Sequence, residues 1–170
     1  MNVKQRADAL GTFRFIEVYL METAAYWTPI TPEMEVKVMF GRHIWDFAQH
    51  ADWLGKRTFE LRQPEHYTRR PDDAYVRLLE QMKQAETVSE RLTLLYDVVV
   101  PGLVRRYGQY LETTDRLLDG PSVLVIERII PELRRQMGEA QNLRKELAVK
   151  TADTSDFRRA ETAIDSVVGA

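Results

Sequence analysis

The chain has no cysteine and only three histidines among its 170 residues. Without thiols there is no disulfide, no thiolate nucleophile and no thiolate-held metal, so any metal ion must rest on carboxylates and imidazoles. A chain without disulfides also suits a cytoplasmic setting. Neither sign of charge dominates. The 24 Lys and Arg against 26 Asp and Glu leave a net charge of −2, which removes the global electrostatic case for nucleic acid or an acidic membrane surface as partner. No run of eighteen apolar residues occurs, so no membrane-spanning helix is expected. The opening MNVKQRADALGTFRFIEVYL lacks the unbroken apolar stretch of a signal peptide. A Gly-rich phosphate loop, a dinucleotide fingerprint, a Gly-x-Ser-x-Gly elbow and a His-Glu-x-x-His pair are all missing.

What is present is helical periodicity from end to end. In TFRFIEVYLMETAAYW, Phe13, Glu17, Leu20, Ala24 and Trp27 share one face. TPITPE breaks the chain, with Thr31 placed to cap a second helix and Pro32 at its first position. That helix is predicted from about Pro32 to Arg62, with Val36, Phe40, His43, Phe47, His50, Leu54 and Leu61 inward. A polar loop and a short helix over about Ala74 to Glu86 come next. The third long helix is expected from Ser89 to Thr114, with Leu92, Tyr96, Val99, Leu103, Arg106 and Tyr110 inward and a kink at Pro101-Gly102. The fourth runs from Pro121 to about Lys150, with Val123, Ile126, Ile130, Leu133, Met137 and Leu147 inward and another kink at Pro131. TADTSD reads as a linker and FRRAETAIDSVVG as a tail helix, docked on the body or on a partner. The 170 residues fit one domain. The pattern predicts an all-α four-helix bundle over 1–150 and a linker with a short tail helix over 151–170.

The polar residues on these apolar stripes carry the functional information, because a buried charge is costly unless paired or metal-bound. Glu17 interrupts FRFIEVYLM. His43 and His50 lie on the second stripe with Asp46 and Phe47 between them. Glu132 lies beside Pro131, and Arg106 lies on the third stripe. His43 and His50 are about 10 Å apart along a helix and cannot share one ion. His43 reads best as a core histidine bonded to a carboxylate or tyrosine. An i, i+4 pair, Asp46 and His50, is able to ligate one ion. His66 falls in the polar loop and reads as a surface residue. The large aromatic side chains Tyr19, Trp27, Trp45, Trp53, Tyr96 and Tyr110 read first as core filling, and alternatively as walls of an organic-ligand pocket.

Glu17, the stretch WDFAQHADWLG and the stretch DGPSVLVIERIIPELRRQ together resemble the ferritin-like superfamily of di-iron carboxylate bundles, over roughly Phe13 to Leu147. In that arrangement a Glu and Glu-x-x-His motifs project into the bundle core, and oxygen and imidazole ligands suit iron and manganese. The resemblance makes Glu17 the first-helix carboxylate, His50 the histidine of a DEAxHA-like helix and Glu132 the fourth-helix Glu. It also shows the site as degenerate. Phe47 stands where the bridging Glu belongs, Val99 occupies the third-helix carboxylate position, and Arg135 replaces the final histidine. Arg135 cannot ligate metal, but is able to pair with Glu17 or Glu132 where the cation was.

The resulting expectation is a ferritin-like protein with no metal or a single iron or manganese ion held by Glu17, His50 and Glu132. The leading reading is an enzyme transforming a small organic substrate. His50 would be its acid or base, Glu17 and Glu132 would assist, and His43, Asp46, Phe47, Tyr96, Val99 and Arg135 would line the substrate. The alternatives are a non-catalytic binding or accessory protein and an intact non-haem iron oxidase or oxygenase. Besides a small-molecule ligand, a second copy of the chain is the partner considered.

Overall fold

The computed structural model describes residues 1–164. All regular structure among them is helical, with no strand. Helix α1 spans Val3–Ile30, α2 Met34–Glu60 and α3 Asp73–Lys83. Helix α4 is one continuous rod in three parts: an α-helical start at Val88–Leu92, a π-helical stretch at Thr93–Val99 and an α-helical part at Val100–Thr113. Helix α5 spans Gly120–Glu146 and α6 Ser155–Thr162. No described helix is long and apolar enough to cross a membrane.

Local chemistry accounts for the ends. Asn2 and Gln5 form a reciprocal capping box, so α1 starts well before the expected segment. Thr87 and Glu90 do the same for α4, and Asp72 accepts from the Ala74 N–H to start α3. Thr31 does not cap α2. Its hydroxyl turns back and donates to the Trp27 carbonyl at 2.8 Å, closing α1, while α2 starts behind Glu33 without a side-chain cap.

Helix α1 packs along α2, α5 packs on both α2 and α4, and α6 lies over the π stretch and α3. One apolar cluster fills the space between them. The expected inward rows of α1, α2 and α4 are all buried. On α5 the row is rotated: Ile129, Gln136 and Ala140 are buried, whereas Ile130, Met137 and Leu147 are only half-buried. Trp45, read as core filling, is 65% exposed. At one end Asp119 is fully buried and accepts from Tyr110, Thr114, Ser122 and Arg57, which joins the ends of α2, α4 and α5.

The irregularity expected at Pro101 takes the form of the π stretch just before it. Proline has no N–H to give the preceding turn, and the Val100 N–H bonds the Leu95 carbonyl, five residues back. In the α-helical part that follows, Leu103, Arg106, Tyr107 and Tyr110 share one face and are buried. Helix α5 runs on through Pro131. The tail helix docks on the body through Phe157 and Glu161, both buried. Glu161 pairs with Arg105 and Arg106. The rest of the expected tail segment, 165–169, lies outside the described residues.

Candidate functional site: a buried carboxylate–histidine ladder

Histidines 43 and 50 are seven residues apart on α2, and so are Glu132 and Glu139 on α5. The two helices run antiparallel, so the pairs meet as two rungs about 10 Å apart. In the first rung, His50 Nε2 stands 3.1 Å from Glu132 Oε2. In the second, His43 Nε2 stands 3.0 Å from Glu139 Oε2. Between them Asp46 accepts from Arg135 at 2.7 Å and from Gln136 at 3.1 Å.

The first rung continues into α1 and α4. His50 Nδ1 lies 3.2 Å from Glu17 Oε2, and the Tyr107 hydroxyl donates to Glu17 Oε1 at 2.8 Å. His50, Glu17 and Tyr107 are fully buried, and the Glu132 side chain is 28% exposed. An ionised carboxylate only accepts, so with two of them as partners both imidazole nitrogens donate and His50 takes the imidazolium form. Burial opposes that charge, but the charge and hydrogen bond of Glu17, together with those of Glu132, outweigh it and raise the His50 pKa above its ordinary 6.5. Phe47 lies edge-on to the ring at 6.4 Å between centroids. Burial and the adjoining Glu17 charge push the Tyr107 phenol far above its ordinary range, so it remains a donor.

The second rung behaves in the opposite way. The Tyr96 hydroxyl and His43 Nδ1 are 2.6 Å apart, and Glu139 is also held by Arg135 at 2.7 Å. Burial pushes the His43 pKa below 6.5, against the opposing pull of Glu139 and Asp46. The neutral ring then donates from Nε2 to Glu139 and accepts at Nδ1 from Tyr96. Burial keeps that phenol protonated. Two histidines on one helix thus hold different protonation states because their partners differ.

Glu17, His50 and Glu132 therefore do come together, but not as ligands of one ion. The imidazole stands between the carboxylates and presents a different nitrogen to each. Among the described residues no group of three or more His, Asp or Glu side chains is arranged to hold a metal ion. In the alternative pair of Asp46 and His50, Asp46 accepts from Arg135 and Gln136. Arg135 does not pair with Glu17 or Glu132 and bridges Asp46 and Glu139 instead. Val99 is packed in the core of the π stretch, and nearby Asp97 pairs with Arg144, so α4 brings a phenol rather than a carboxylate to the centre. Arg106, though inward, belongs to the tail ion pair. Tyr107, Gln136 and Glu139 join the site without having been expected there. The matched seven-residue spacings are a usable signal for Glu139, and Tyr107 lies four residues after Leu103 and three before Tyr110, on the face already expected inward.

Four surface pockets have volumes of about 660, 540, 460 and 350 Å³, and none of the four has Glu17, His43 or His50 in its wall. His66 is exposed and lines the first, with Arg14, Val18 and Phe59. No protein-family model, curated protein or solved structure matches the chain.

Proposed function

We propose that this protein is a ferritin-like four-helix bundle in which an imidazolium has taken the place of the metal, and that it works as a non-catalytic binding or accessory protein. One observation carries the reading: all four ring nitrogens of His43 and His50 are already engaged by protein groups. A general base needs a nitrogen within reach of a substrate proton, and a ligand needs a free lone pair. The resemblance of Glu17, WDFAQHADWLG and DGPSVLVIERIIPELRRQ to the di-iron bundles supports the origin of the cluster. The His50 positive charge between Glu17 and Glu132 supports the replacement. Loading with Fe(II) and Mn(II), then desalting and elemental analysis, is expected to leave well below one ion per chain. One or two retained ions per chain would overturn the reading.

A second reading keeps a small-molecule enzyme, and the partial exposure of Glu132 favours it. Solvent protons reach His50 through that carboxylate, so the imidazolium would act as a proton store for a substrate held outside the core. In that case His50→Ala removes any turnover while the protein stays helical by circular dichroism. Full turnover in that variant would sink this second reading.

A further inference from the structure

The outer edge of the first rung borders a pocket of about 350 Å³ between the second half of α2 and the first turns of α5, within the size range of small-molecule sites. Its walls combine apolar and cationic groups: Trp53 and Leu124 on one hand, Lys56, Arg57 and Arg128 on the other, with Glu60 the one acid among them. Two of the cations are occupied. Arg57 is held by Ser122 and Glu60, both at 2.8 Å, and by Asp119 at 3.3 Å. Lys56 is held by Asp52 at 2.6 Å. Arg128 is held more loosely. Its ion pair with Glu132 stands at 3.8 Å with the arginine side chain 65% exposed, and its guanidinium lies 3.8 Å over the Trp53 ring. The same indole lies 5.8 Å from the His50 ring on the inward side. Leu124 is 69% exposed, an apolar surface with no cover.

We infer that this pocket binds a small organic carboxylate with an aromatic or short alkyl body. The body rests on Leu124 and Val125 beside Trp53, whose ring Arg128 covers, and the carboxylate takes a charge-assisted pair from Arg128. A bare inorganic anion leaves the apolar wall unused, and an amine finds Glu60 as the one acid in the wall, already held by Arg57. The inference rests on the proposed reading in one respect: with the core closed, a ligand sits outside it. Its failure is separable, since metal content and ligand binding are independent measurements.

The experiment is titration of the full chain with phenylacetate, monitored by calorimetry and tryptophan emission, with phenethylamine and acetate as controls. Phenylacetate should bind saturably and change an emission component that is missing in Trp53→Phe, while the two controls give no saturable response. Arg128→Gln should weaken binding about tenfold, the loss of one charge-assisted bond. Leu124→Asp, at an exposed position that folding does not depend on, should weaken it at least as much. No saturable binding, an equal response to phenethylamine, or unchanged affinity in both Arg128→Gln and Leu124→Asp overturns the inference.

Discussion

Replacing His50 by Leu tests the charge assigned to the central imidazole. The substitution fills a similar volume but removes the positive partner of a fully buried Glu17, leaving that carboxylate with the Tyr107 hydroxyl alone. Breaking a buried pair from one side costs about 3–5 kcal/mol. Solvent reaches Glu132 and softens the loss there, so the lower end, about 3 kcal/mol, is the expected value. For a chain of this length each kcal/mol moves the melting temperature about 2–4 °C, which gives a drop of about 10 °C. Glu17→Gln added to His50→Leu removes both charges and should recover more than half of the loss, because deleting a whole buried pair is often nearly neutral. The pH dependence supplies a second reading of the same charge. The His50 pKa is raised in the folded state, so its contribution is complete below the ordinary 6.5 and disappears as pH climbs through the raised value. Urea unfolding should show wild type losing stability as pH rises above 6.5 through the raised His50 value, and His50→Leu losing much less over the same rise. A variant melting within about 2 °C of wild type, with the same alkaline slope, would refute the buried imidazolium.

The same contacts set three further outcomes. His43 has a lowered pKa, so its contribution is present above 6.5 and lost as pH falls through the lowered value; His43→Gln should flatten the acid limb of stability and leave the alkaline limb, measured by urea midpoints from about pH 5 to pH 7. Tyr96→Phe removes the donor to His43 Nδ1 and should cost about 1–2 kcal/mol by chemical denaturation; no loss would mean that the ring has another donor. Glu161→Gln leaves the buried Arg106 without its carboxylate. Hydrogen exchange should then rise sharply in Ser155–Thr162 and hardly at all in α1, whereas uniform loosening would show that the tail is not a separate latch.

The apolar rows of α1, α2 and α4 are legible because helical period and residue type are local properties, and the core uses those rows. The inward polar residues Glu17, His43 and His50 are legible for the same reason: each breaks an apolar row, and each is buried. Partners are harder to read. Charge alone matches Arg135 to Glu17 or Glu132, yet the antiparallel register of α2 and α5 sets it opposite Asp46. Thr31 has the position of a cap for the helix after it and serves the helix before it, since a hydroxyl satisfies whichever backbone group its rotamer reaches.

The sequence alone determined the helices, their apolar faces and the few charged groups that had to enter the core. Those arise from periodicity and from the cost of burying a charge. Only the tertiary structure decided how those charges are neutralised. It brought the Tyr107 hydroxyl of α4 to Glu17 of α1. The α2–α5 register gave His50 two carboxylates, and His43 one carboxylate and a phenol. That difference in partners sets the two histidine pKa values on opposite sides of the ordinary one, because protonation answers to the groups within hydrogen-bond reach rather than to neighbours in the chain.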